Sequence, residues 1–92
     1  MGQRINAGYV ITDSIHIGNT EFVLGVSQHQ PTMFVTWQCT GGNNYFWGHY
    51  HDDPLKAKKD LLDRAGEELE IQMERKAQAE AAPKKQNKER ER

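Results

Sequence analysis

The stretch Tyr9-Val10-Ile11-Thr12-Asp13-Ser14-Ile15-His16-Ile17, then Gly18-Asn19, then Thr20-Glu21-Phe22-Val23-Leu24-Gly25-Val26-Ser27, decides the fold. Each flank alternates with period two, as a half-buried strand must. Tyr9, Ile11, Ile15 and Ile17 are predicted on one face with Asp13 as the exception, and Phe22, Leu24 and Val26 share a face on the second run. Gly18-Asn19 is a two-residue turn of the kind that joins antiparallel strands, because both residue types tolerate positive φ. The reading is therefore a β-hairpin.

Downstream of the hairpin, Pro31 cannot sit in a central strand, so Gln28 to Pro31 is a loop. Thr32 to Thr40 reads as a third strand with Met33, Val35, Trp37 and Cys39 on one face and a more polar face opposite. Gly41-Gly42-Asn43-Asn44 is a turn cluster, and Tyr45 to His51 is a short aromatic fourth strand. Asp52-Asp53-Pro54 then opens a helix: Asp53 can cap it, Pro54 suits the first helical position, and both carboxylates favour the positive end of the helix dipole. Leu55, Leu62, Ala65, Leu69 and Met73, with Leu61 alongside, recur at helical spacing and are expected to cover the sheet. The stripe fades beyond Met73. Residues 77–92 are expected to be a charged, frayed helix end and a disordered tail.

These elements predict an α+β domain, a four-stranded antiparallel meander followed by one long C-terminal helix. An N-terminal arm occupies 1–8, and 9–76 is a single domain. The 92 residues suffice for one domain and no more. A chain of this length buries only about 60–65% of its unfolded surface. One helix hides part of a sheet, so leftover apolar surface or an open edge favours a homodimer.

Charge is unevenly placed. Up to His51 the formal charges are Arg4, Asp13 and Glu21, and all others lie from Asp52 onward. The net charge of -1 gives no overall pull toward nucleic acid or anionic membrane. From Pro83, however, Lys84, Lys85, Lys88, Arg90 and Arg92 outnumber Glu89 and Glu91. The charges of the helix, including the Lys56-Asp60 and Asp60-Arg64 pairs at i,i+4, read as a solvated, helix-supporting face. The single cysteine, Cys39, excludes an internal disulfide framework and a four-cysteine zinc site. With no signal-peptide pattern and no apolar run of membrane-span length, the expected location is the cytoplasm, without membrane association.

His49-Tyr50-His51-Asp52-Asp53 is the sharpest chemical pattern. Two histidines two apart on a strand share a face and can pinch a metal ion, with Asp53 as an oxygen ligand. The spacing matches the opening of the HxHxDH motif of metallo-β-lactamase-like hydrolases, except that Pro54 stands where the last histidine belongs. The plainer reading is strand-end histidines beside a helix cap. Cys39 with His16, His29, His49 or His51 could form a nucleophile pair only if folding brought them together, and a lone strand cysteine is usually a small core residue. Gly41-Gly42 lacks the lysine and serine of a phosphate cradle, and no cofactor is implied.

Trp37, Tyr45, Trp47 and Tyr50, with Phe46, are the candidate binding surface, a set of rings on adjacent strands. Such rings can stack single-stranded nucleic acid, but these strands carry no lysine or arginine for phosphates. Core packing or a protein contact is the plainer reading.

The segments Tyr9–Ser14, Glu21–Gly25, Phe34–Cys39 and Asn44–Tyr50 together resemble small accessory proteins of bacterial mobile elements, over about Tyr9 to Leu69, a single-domain span. The resemblance carries over no catalytic residue and implies a binding protein, of a class in which some members bind or inhibit host defence machinery. The strand order is also similar to the PC4-like fold, which implies dimers that bind single-stranded DNA. The expectation is a non-enzymatic protein that acts on a protein partner. A PC4-like nucleic-acid binder is the alternative, and a metal-dependent hydrolase a distant third.

Overall fold

A computed structural model describes residues 4–81. The order is β1 (Ile5–Asn6), β2 (Tyr9–Ile17), β3 (Thr20–Ser27), β4 (Phe34–Thr40), β5 (Asn44–His51) and α1 (Pro54–Ala81). The strands form one antiparallel sheet in chain order, curled into a half-barrel, with the helix on one face. The α+β meander-plus-helix architecture is thus as expected. The tail expected from Pro83 onward lies outside the described residues.

Two tight turns shape the start of the meander. Gly18 alone of Gly18-Asn19 has positive φ, at 61°, which is the II′ pattern. Ala7 and Gly8, at φ 53° and 83°, make the mirror-image I′ turn that folds Ile5–Asn6 back onto β2. The arm at 1–8 therefore contains a short fifth strand that its sequence does not announce, since alanine is rarely placed at positive φ.

Two bulges decide which side chains face the helix. In β2 the register shifts between Ile11 and Asp13, leaving Thr12 as the extra residue. An extra residue reverses the alternation. Tyr9 and Ile11 therefore pack beside Val23, Val35, Trp37 and Cys39 inside the curl, while Ile15 and Ile17 join Phe22, Leu24 and Phe34 against the helix. Expectation had all four on one face with Asp13 misplaced. Asp13 instead lies on the helix side and pairs with Lys58 at 3.2 Å.

The helix begins as read: Asp53 Oδ1 accepts a hydrogen bond from Leu55 N at 2.8 Å, and Pro54 is the first helical residue. Its buried face is the expected one only in part. Leu61 and Ala65 meet the sheet as expected, joined by Ala57, whereas Leu55, Leu62, Leu69 and Met73 are exposed. Small residues at two of the three contact positions bring the backbone close to the sheet. The face is then fixed by polar groups on the same side, Asp60, Arg64 and Gln72, which all find partners on the strands. Asp60 and Arg64 are thus anchors, and not the solvated pair their spacing suggested. Gln72 Nε2 donates to Ile17 O at 3.0 Å and holds the tip of the first long hairpin.

Candidate functional site

The second bulge lies in β5. Thr36 pairs with His49 and Gln38 with Phe46, so Trp47 and Gly48 together oppose Trp37. Trp47 has φ 56°, a left-handed conformation that costs a bulky residue about 1–2 kcal/mol. Gly48 takes the place nearest the other indole: a Cβ there would stand 2.7 Å from Trp37 Nε1 and 3.0 Å from its Cδ1. Only glycine leaves room there for the Trp37 ring. The same bulge returns His49 and His51 to the helix side.

There they meet a polar cluster built on α1. Asp60 accepts hydrogen bonds from the Thr36 hydroxyl and from His49 Nδ1, the latter at 3.0 Å. Arg64 Nη1 donates to Thr36 O at 3.1 Å, and its Nη2 donates to Trp47 O at 2.8 Å. Burial pushes the Asp60 carboxyl upward, but the Thr36 hydroxyl, His49 and the Arg64 charge outweigh it and hold Asp60 below the usual carboxylate range. Burial lowers Arg64, with Asp60 and Glu67 opposing. His51 Nε2 lies 3.6 Å from Asp60 Oδ2 and is the buried side-chain nitrogen or oxygen that lacks a hydrogen-bond partner among the described residues. An ionised, hydrogen-bonded Asp60 acts as a fastener between helix and sheet. The cluster also clamps the carbonyl of Trp47 and so stabilises its strained backbone.

Clamped in this way, the Trp47 side chain stands outward with 68% of its surface exposed, edge-on to Phe46 at 5.0 Å. Beside it runs a groove of about 210 Å³ whose walls include Phe22, Arg64, Glu67, Glu68 and Ile71. β5 is an edge strand, so among the described residues no strand lies beyond this ring. Tyr50 is also exposed, but it leans on Tyr9 at the rim of the curl, ring centroids 6.1 Å apart.

The expected ring surface is therefore divided. Trp37, only 5% exposed, packs edge-on to Tyr9 at 5.8 Å and against Tyr45 at 5.5 Å inside the curl. Tyr45 is half-buried, and its hydroxyl accepts from Arg4 Nη2 at 3.0 Å. Trp37, Tyr45 and Trp47 do not form one open platform, because the bulge turns the last ring away from the other two.

Arg4 organises the far end of the curl. It pairs with the buried carboxylate of Glu21 at 2.8 Å and reaches Gly42 O at 3.4 Å. The Arg4 hydrogen bond holds Glu21 below its ordinary range despite burial. Cys39 is fully buried beside this pair, and burial together with the Glu21 charge pushes its thiol up. The hydrogen bonds of Cys39 run to Arg4 Nη2 and Thr40 O, not to His16, His29, His49 or His51.

His49 and His51 do share a face, as their spacing required, but their carboxylate is Asp60 from the helix. Asp53, the expected third ligand, is occupied as the helix cap. Among the described residues no group of three or more His, Cys, Asp or Glu side chains is arranged to hold a metal ion. Asp60 and Arg64 were the residues that sequence reasoning missed. Their signal was a polar i,i+4 pair on the same face as Ala57, Leu61 and Ala65. Among the described residues no helix is long and apolar enough to cross a membrane. Comparison with protein-family models, curated proteins and solved structures gives no match.

Proposed function

We propose that this chain is a non-enzymatic protein-binding module whose contact centre is Trp47. One observation carries the reading: an exposed tryptophan on an edge strand is held in a strained backbone conformation by a partly buried arginine clamp. Strain of this kind concentrates at functional sites, and tryptophan is the residue type most enriched among interface residues that dominate affinity. The groove beside it is apolar at Phe22 and Ile71 and acidic at Glu67 and Glu68, which suits an apolar partner side chain flanked by lysine or arginine. A host-defence component is one such partner, in keeping with the accessory class that the sequence resembles.

The test is affinity capture from the native host with the wild-type chain and with Trp47→Gly. Glycine removes the ring and suits φ 56°, so the fold is expected to survive, which circular dichroism checks. A protein retained by the wild type and lost from the variant supports the reading. Equal retention by both, or a turnover lost in His49→Ala, refutes it.

A further inference from the structure

The helix carries a second apolar face that the sheet does not use. Leu55, Leu62 and Leu69 recur every seven residues, Met73 follows four later, and they are 78%, 55%, 45% and 62% exposed. At the helical repeat this stripe lies well round the helix from Ala57, Leu61 and Ala65. Gly66 sits within it, in mid-helix, where glycine weakens a helix relative to alanine. Among the described residues no neighbour demands that glycine, since a Cβ there would meet none of their atoms within 4 Å. Heptad leucines with a small residue between them are the pattern of a close helix–helix seam.

The charges beside the stripe choose the occupant. One flank carries Lys56 near the start of the helix, then Asp63, Glu67, Glu70 and Glu74 toward its end. Lys59 on the same side is already paired with Asp63 at 2.9 Å. The flank is basic at one end and acidic at the other, so its ends are complementary when it is reversed, while Asp63 meets Glu67 near the centre with Lys59 beside them to offset the like charges. An antiparallel helix pair is the arrangement that sets a flank against its own copy in that reversed sense.

From this self-complementarity we infer that the outer face of α1 is a self-association surface, on which the helix of a second copy lies antiparallel and crosses at Gly66. With the two-fold axis beside Gly66, Leu62 of one copy packs beside Leu69 of the other. Leu55 is covered by the turn from Met73 to Ala77, which extends past Gln72, the last helix residue hydrogen-bonded to a strand among the described residues. Lys56 faces Glu74. The surface shares Glu67 with the groove beside Trp47 but uses neither Trp47 nor the rest of that groove, so the inference does not rest on the proposed partner site.

The test uses the full chain. Sedimentation equilibrium from about 1 µM to about 300 µM is expected to show a monomer–dimer equilibrium within the range of weak helix pairs. Leu62→Glu with Leu69→Glu is expected to weaken dimerisation by about a hundredfold or more, as loss of central apolar contacts does, with unchanged circular dichroism. Gly66→Gln is expected to keep the monomer folded and block the close crossing. Lys56→Glu is expected to weaken the dimer, and adding Glu74→Lys to restore it. For orientation, Leu55→Cys and Ala77→Cys chains mixed under oxidising conditions are expected to cross-link to each other, with buried Cys39 shielded. A monomer at every concentration overturns the inference, as does a dimer indifferent to the Leu62 and Leu69 changes. Cross-linking of Leu55→Cys with itself, and not with Ala77→Cys, overturns the antiparallel arrangement. Trp47→Gly is expected to leave the dimer intact, so failure of the partner site and failure of the dimer read out separately.

Discussion

Thr36→Val tests whether polar groups, more than the apolar seam, hold the helix to the sheet. Thr36 has no exposed surface; its hydroxyl donates to Asp60 and accepts from Arg64 Nη1 at 3.3 Å. Valine keeps the shape and removes both interactions. Hydrogen bonds to charged groups contribute about 1.5–3 kcal/mol each, whereas the methyl that replaces the hydroxyl returns about 0.8 kcal/mol. Arg64 keeps the carbonyls of Thr36 and Trp47, and Asp60 keeps His49, so part of the anchoring survives. The expected loss is about 2 kcal/mol, or about 8–16 °C in Tm for a domain of this size. The sign with pH follows from Asp60. Its folded pKa lies below the unfolded value, so its contribution is full above the ordinary aspartate pKa and is lost as pH falls through the depressed value. The gap between wild type and variant should therefore be widest near neutrality and shrink on acidification below about pH 4. Urea unfolding at a fixed protein concentration, followed by circular dichroism and tryptophan fluorescence, measures both. A loss under about 0.5 kcal/mol at neutral pH would place the substitution among neutral surface changes and refute the reasoning. A gap that does not narrow with acid would refute the role given to Asp60.

Arg4→Met leaves Glu21 buried without its partner and should cost about 2–3 kcal/mol, toward or below the low end for buried pairs because Arg4 is itself partly exposed. Because Arg4 depresses Glu21, wild-type stability from this pair is present above the ordinary glutamate pKa and declines as pH falls, and urea titrations should show a flatter acid profile in the variant. Gly48→Ala brings a methyl to within 2.7 Å of the Trp37 ring and should cost about 1–3 kcal/mol by overpacking, read as a lower Tm with a shifted Trp37 emission; an unchanged Tm would show that the bulge yields freely. Cys39 should react with a thiol reagent only at the rate of unfolding, since it is fully buried and its thiolate is disfavoured; rapid labelling of the native protein would contradict this.

Much of the fold was legible because local chemistry writes it directly. Gly18-Asn19 between alternating runs, the Gly41-Gly42 turn, and Asp53-Pro54 at the helix start each act within a few residues. The shared face of His49 and His51 was likewise readable from spacing. The bulge at Thr12 was not, because threonine gives no sign of one, and the bulge in β5 was marked only by Gly48, a strand glycine that equally fits a close approach, beside a tryptophan whose positive φ nothing local foretells. A single unread bulge inverts every assignment beyond it. That is why Asp13 looked misplaced and why Trp47 was grouped with Trp37 and Tyr45.

The sequence by itself determined the class of fold, the order and approximate limits of the long elements, and the capped helix start, since turns and caps depend on neighbouring residues alone. Which face of the helix meets the sheet was decided by tertiary structure. Ala57, Leu61 and Ala65 bury less apolar surface than the leucine stripe would, and they win because Asp60, Arg64 and Gln72 beside them find partners on three different strands. Those partners are brought within reach by the curl of the sheet and the bulge in β5, a geometry of long-range pairing that no local pattern encodes.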